Sequence, residues 1–333
     1  RGVINRVAVY NSKSKKPVIF LPEGESKKVL SALNTIAQER ILEPVLIGSQ
    51  DKIHEIISEC NFTHLKKVKV ISPRQDPSFK SFAQEFYNMK KDKGMSLKQV
   101  EELMSQNNYF ASMAVYKGLG DGLLTGATDS FVNSILPSLR IVGSAQRGVV
   151  AGVNIVLLKR RVLFFADTAF NIDPTAEQLA HIAIYTSQMA QYFHIEPRIA
   201  LLSYLSFTDK KDQIGSPLKM KKAVDLIRQW KPNLQVEGEL QADIAVNKEL
   251  AKELFPEKTF DKGANILIFP NLDSGNMAYK LAQQLGHGEV VGPFLVGIKQ
   301  PINIVQRTCT VEDIINSLVL TALKVHAYRQ AKK

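Results

Sequence analysis

"PVIFLPEGESKKVLSALNTIAQERILEPVLIGS", residues 17–49, decides the fold. The β-rich run "PVIFL" ends in the turn "PEG", and Ser26 stands where a helix N-cap belongs. Helical spacing then runs to about Arg40, and "EPVLIGS" (43–49) supplies a second strand. Strand, helix and strand in that order make a βαβ unit, whose two strands lie parallel.

The same alternation recurs along the chain, so the predicted class is α/β with mostly parallel sheets. "KVKVISP" (67–73) reads as a strand, followed by helices near 77–91, 96–105 and 108–117. "GLGDGLLTGATDSF" (118–131) reads as a strand entering a glycine-rich loop. That loop serves either a turn or a ligand, and Leu123 in the third glycine's place keeps it from the dinucleotide pattern G-x-G-x-x-G. At "GSAQRGVVAG" (143–152) the helical pattern stops, and a domain boundary is expected there. Two strands follow, "GVNIVLLKR" and "RVLFFADT", then a helix over 174–193 with Asp173 as N-cap and Pro174 at its first position. Strands at 198–204, 264–270 and 292–298 alternate with helices near 216–230 and 273–285.

At 333 residues, with 45% hydrophobic and 23% charged residues, the chain has the composition of a soluble two-domain protein. No apolar run approaches the length of a membrane span. Two widely separated cysteines, Cys60 and Cys309, and no visible signal peptide point to the cytoplasm. The formal charge of +11 favours anionic partners. The lysines (Lys13, Lys15, Lys16; Lys219, Lys221, Lys222) are scattered without interleaved aromatics, which points to a phosphate-rich small ligand or a solvated surface rather than nucleic acid.

The histidines and cysteines lack metal-ligand spacing, so no metal site is expected. Walker, G-x-S-x-G and H-E-x-x-H patterns are absent, which removes the commoner nucleotide hydrolases, serine hydrolases and zincins. What remains are loops at strand C-termini: "SYLSFTD" (203–209), "PNLDSGN" (270–276) and "KQPINIVQRTC" (299–309). Asp273 or Ser274 serves either as a helix cap or as a ligand contact. Thr310 and Asp313 have capping-box spacing, Cys309 reads as a small buried apolar residue or a nucleophile, and Arg307 offers a guanidinium to phosphate or carboxylate.

"FLPEGES", "KGMSL", "NNYFASMAV", "GDGLLTG", "FADTAFNIDPTAEQLAHIAI", "VEGELQADIAV", "FPNLDSGNMAYK" and "GPFLVGIKQPIN" together resemble the phosphate acetyltransferase and phosphate butyryltransferase family over essentially the whole chain. The resemblance implies two α/β domains, 1–145 plus 300–333 and 146–299, with a ligand cleft between them, in a chain that dimerises. It also implies acetyl exchange between acetyl-CoA and phosphate without a metal. The family's Ser-Arg-Gly-Cys-Ser-Val-Glu-Asp run falls on Gln306 to Asp313, which lends Arg307 the phosphate and Asp313 the base role. Cleft residues expected to meet CoA are Ser203, Ser206, Ser274, Gly275, Asn276, Tyr279, Lys280, Gln306 and Arg307, with helix surface as the plain alternative for Tyr279 and Lys280.

Three positions depart from the family: Gln306 for serine, Leu136 for arginine and Lys90 for arginine. "NNYFASMAV", the "SYLSF" loop and "IVQ" before Arg307 resemble a branch of the family fused behind hybrid malic enzymes, and the opening Arg1 in place of Met agrees with a domain cut from a longer chain. The expectation that follows is a non-catalytic, acetyl-CoA-sensing and oligomerising domain that regulates a fused malic enzyme. The alternative is an active transferase making acetyl phosphate.

Overall fold

The computed structural model describes residues 15–145, 148–158, 161–207, 215–257 and 262–331. Lys13, the tip of the 151–166 hairpin, the end of "SYLSFTD" and positions 146–147 of the expected boundary lie outside the described residues. The chain divides into one compact unit of residues 1–144 and 298–333 and a second of residues 145–297.

In the first unit, β1 (Val18–Leu21), α1 (Lys27–Ile36) and β2 (Glu43–Ile47) form the βαβ unit read from the sequence. Ser26 accepts a hydrogen bond from the Val29 N–H and so caps α1. The helix turns 3₁₀ and stops at Arg40, whose φ of 50° cannot continue it. After α2 (Gln50–Glu59) and β3 (Lys69–Ile71) come α3 (Phe79–Lys90), α4 (Leu97–Met104), α5 (Asn107–Tyr116), β4 (Gly122–Thr125) and α6 (Phe131–Ile141). The sheet runs β11-β4-β1-β2-β3 and all its pairings are parallel, β11 (Ile302–Ile304) arriving from the far end of the chain. Ile19, Leu46, Ile47, Leu123 and Ile302 are wholly buried, as a parallel sheet covered by helices on both faces requires.

In the second unit, β5 (Ala151–Leu158) and β6 (Arg161–Ala166) form the hairpin, followed by α7 (Ala176–Tyr192), β7 (Arg198–Leu202) and α8 (Ser216–Trp230). Next come β8 (Gln235–Leu240), α9 (Ala242–Val246), α10 (Lys248–Leu254), β9 (Ile266–Ile268), α11 (Leu272–Leu285) and β10 (Glu289–Val296). Sheet order is β10-β5-β6-β9-β7-β8. The pairs β6–β9, β9–β7 and β7–β8 are parallel, whereas β10 and β6 flank β5 antiparallel. β8 was not read as a strand, because "QVEGEL" carries two glutamates and a glycine in six residues; Glu239 is nevertheless buried.

Two helix starts differ from expectation. Thr175, not Asp173, caps α7 through a reciprocal box with Gln178, and Asp173 instead pairs with Lys219 at 2.5 Å. Asn271, rather than Asp273 or Ser274, caps α11. Among the described residues no helix is long and apolar enough to cross a membrane.

The last helix, α12 (Val311–Ala331), packs on α1 and β4 of the first unit. It carries Lys324, whose Nζ donates to the Ile302 carbonyl at 3.1 Å. Burial holds this ammonium down, to about 7. Between about pH 7 and the unfolded value near 10.5, only the unfolded chain keeps the proton, so wild-type stability rises with pH across that window. Lys324→Met removes the penalty. Its melting midpoint at pH 7 is expected to exceed wild type by about 2 °C or more, with a gain that shrinks by about pH 9.5 in calorimetry.

Candidate functional site

The C-terminal ends of β1, β4 and β11 supply the chemistry in the first unit. Past β1, Glu23 turns its carboxylate onto the Gly126 N–H at 2.7 Å, with the Thr125 hydroxyl 3.3 Å away. Thr125 Oγ1 also donates to Asn108 Oδ1 at 2.7 Å, and Asn107 Nδ2 donates to the Pro22 carbonyl at 2.9 Å. Burial pushes the Glu23 carboxyl above its usual range; hydrogen bonds from Gly126, Thr125, Thr128 and Ala127 work against that rise.

Glu23 lines a cavity of about 680 Å³ together with Gln106, Asn108, Asp129, Asn133 and Leu136. Among the described residues its wall holds no lysine, arginine or histidine. Leu136 therefore presents hydrocarbon to this space, and Lys90 is absent from the wall, its Nζ lying over the Phe86 ring at 5.8 Å.

Beyond β11, Gln306 and Arg307 are exposed. Among the described residues Arg307 makes no ion pair, so its guanidinium is available to an anion. The backbone beneath it is pinned, because Lys28 of α1 donates from Nζ to the carbonyls of Arg307 at 3.1 Å and Cys309 at 2.8 Å. Cys309 is buried, and desolvation raises its thiol pKa while Lys28 opposes the rise. Asp313 Oδ2 accepts from Thr310 N and Oγ1, both at 2.8 Å, and the Asp313 N–H returns a bond to Thr310 Oγ1 at 3.1 Å. The capping box is thus real, and it uses one carboxylate oxygen.

The second unit holds the other candidates. Ser206 Oγ accepts from the Gln241 N–H at 2.8 Å, and the Ser203 N–H donates to the Leu240 carbonyl at 2.8 Å, so their loop is tied to the end of β8. Ser274 Oγ donates to the Asn271 carbonyl at 2.9 Å, Asn276 Nδ2 donates to the Thr168 carbonyl at 3.2 Å, and Lys280 is exposed with Nζ over the Tyr279 ring. Tyr279 is only 6% exposed and belongs to a core cluster with Phe165, Leu267 and Phe269, which corrects its reading as helix surface. A Cβ at Gly275 would lie 2.2 Å from the Asp167 carbonyl, so this glycine lets α11 touch the loop after β6. Asp167 organises that loop by accepting from the N–H groups of Gly152, Ala169 and Asn171.

Residue reading alone missed Glu23, Lys28, Asn107, Asn108 and Asp167. Glu23 sat in the quoted "PEG" turn and could have been singled out as an acid at a strand's C-terminal end. Lys28 carried no signal, since the carbonyls it binds lie 279 and 281 residues away. Among the described residues no cluster of three or more His, Cys, Asp or Glu is arranged to hold a metal.

Residues 3–322 match the family model described as phosphate acetyl/butaryl transferase. A phosphate acetyltransferase of Bacillus subtilis is 36% identical over 306 residues, 91% of this chain and 93% of its own length. One from Corynebacterium glutamicum is 34% identical over 310 residues, covering 92% of each. The EutD phosphotransacetylase from Staphylococcus aureus superposes with a TM-score of 0.87 at 30% identity, over 97% of this chain and 99% of that one. These relatives correct the expectation of a non-catalytic, allosteric domain fused to a malic enzyme. They match from end to end and are transferases, which favours the active-enzyme alternative despite Gln306, Leu136 and Lys90.

Gly275→Ala drives a methyl into a backbone carbonyl that cannot rotate away. We expect a loss of about 1–3 kcal/mol in urea unfolding, with Gly286→Ala as a second comparison because its Cβ would meet the Ala282 carbonyl at 2.5 Å, at the end of α11.

Proposed function

This chain belongs to the phosphate acetyl/butyryltransferase family, and from that premise we propose that it is an active phosphate acetyltransferase, converting acetyl-CoA and phosphate to acetyl phosphate and CoA. The observation that carries the reading is the exposed Arg307 guanidinium on a loop whose backbone is fixed by Lys28 and whose far end is capped by Asp313.

In this reading Arg307 binds phosphate and holds one oxygen for attack on the thioester carbonyl. The Gln306 side-chain amide, in the place of the family's serine, donates to the oxyanion of the tetrahedral intermediate. Asp313 exchanges the proton of the CoA sulfur: in the direction of acetyl-CoA synthesis it takes the thiol proton, and the thiolate attacks acetyl phosphate. Oδ2 of Asp313 is committed to Thr310, which leaves Oδ1 for that proton. On the CoA side we place Ser203, Ser206, Ser274, Asn276 and Lys280, with Lys280 meeting a CoA phosphate. Gly275 and Tyr279 support them from within the fold. Pairing of two copies, implied by the resemblance, stays part of this proposal and is read by light scattering.

Phosphate-dependent release of free thiol from acetyl-CoA tests the reading, and a wild-type chain that releases none sinks it. Arg307→Ala is expected to lower the rate roughly 10²- to 10⁴-fold. Asp313→Asn separates capping from catalysis, because asparagine retains an acceptor for Thr310 but has no basicity. Stability should stay within about 0.5 kcal/mol of wild type while turnover falls on the order of 10²- to 10⁴-fold.

A further inference from the structure

We infer that Lys28 is a positioning residue of the phosphate-binding loop, acting through the backbone of Arg307 and Cys309 rather than by touching substrate; this rests on the transferase reading above. Three observations lead to it. First, one ammonium bonds two carbonyls two residues apart in the same exposed loop, at 3.1 and 2.8 Å. A lysine has three donors and a long flexible stem, so spending two of them on one short stretch orders both the side chain and the loop.

Second, the neighbouring residues hold the loop only at its margins. The Val305 N–H donates to the Thr125 carbonyl at 2.8 Å, and Thr310 and Asp313 form the capping box beyond it. Between these points Gln306, Arg307 and Thr308 are all exposed. The Cys309 N–H closes a turn onto the Gln306 carbonyl, also at 2.8 Å, and Lys28 takes the carbonyls of Arg307 and Cys309 in the same turn.

Third, Lys28 reaches the Cys309 thiol electrostatically, and it is the largest influence opposing the burial that raises the thiol pKa. The same charge therefore reports on its own position through a neighbouring group that can be titrated.

The adjacent Lys27 supplies the control. It forms an exposed pair with Glu59 at 3.5 Å, one position along the same helix, and touches nothing in the loop.

The test compares Lys28→Met, Lys28→Arg and Lys27→Met in acetyl-CoA- and phosphate-dependent thiol release, with calorimetry of each variant. For Lys28→Met we expect kcat/KM for phosphate to fall roughly 10- to 100-fold, as for a reacting group displaced by about an ångström, while KM for acetyl-CoA stays within about twofold of wild type. Lys28→Arg, which can still donate to both carbonyls, should restore most of the loss, and Lys27→Met should match wild type. Independently, alkylation of Cys309 followed by mass spectrometry should titrate at higher pH in Lys28→Met. Equal losses for phosphate and acetyl-CoA, no rescue by arginine, or an unmoved Cys309 titration would overturn the assignment. If the wild-type chain is inactive, the transferase reading fails on its own, and amide hydrogen exchange across residues 306–309 decides whether Lys28 orders the loop: it should quicken in Lys28→Met and not in Lys27→Met.

Discussion

Gly126 leaves no room for a side chain, and the first unit's site is built on that contact. Its φ is 103°, and a Cβ there would come within 2.1 Å of the Val305 carbonyl oxygen. The end of β4 therefore lies directly against the end of β11, and the Val305 N–H closes the contact on Thr125. The same backbone geometry aims the Gly126 N–H at Glu23, which brings in β1 as the third strand end. Gln306 and Arg307 leave the sheet one step beyond this junction, so an exposed loop starts from a rigid origin.

Around that origin, polar groups are buried only where they are answered. Desolvation of Glu23 alone would force its carboxyl strongly toward the neutral form; donors from the turn at 125–128 offset part of that cost, and the net shift is still upward. On the other side of the loop, Lys28 supplies donors to carbonyls that the turn leaves open. At Asp313 the helix start occupies only one of the two carboxylate oxygens, so capping does not compete with the proposed proton transfer.

Legibility in the sequence follows the range of the interactions. The βαβ opening was readable because apolar runs, a serine cap and a turn sit within 33 residues of one another. The capping box at Thr310 was readable for the same reason. Caps went wrong where two cap-forming residues lay within one turn, as with Asp173 and Thr175: Gln178 answers Thr175 in a reciprocal box, while Asp173 pairs with the distant Lys219. β8 was missed because its glutamates are accommodated by tertiary context rather than by period-two alternation. Lys28 and Asp167 lay beyond any local reading, because the groups that give them meaning are backbone atoms brought close only by the completed fold.

Charge explains why the site has two characters. The chain carries a net +11, yet the cavity beside Glu23 has carboxylates from Glu23, Glu25 and Asp129 and no cation in its described wall. Glu25 is answered by Lys52 at 3.6 Å, but Glu23 and Asp129 meet no cation in that wall, so the cavity disfavours a phosphate dianion. Arg307 and Lys28 stand on the β11 side of the same strand ends, where the sign is reversed. Leu136, where the resemblance leads one to expect arginine, therefore does not strip these strand ends of positive charge. The cavity keeps an acidic, amide-containing wall, and the positive groups at these strand ends are those of Arg307 and Lys28 beside the β11 loop. In the proposed transferase, arginines at both places would grip the anion from two sides; with leucine at 136 the grip falls to the β11 loop, and the rigidity under Arg307 matters correspondingly more.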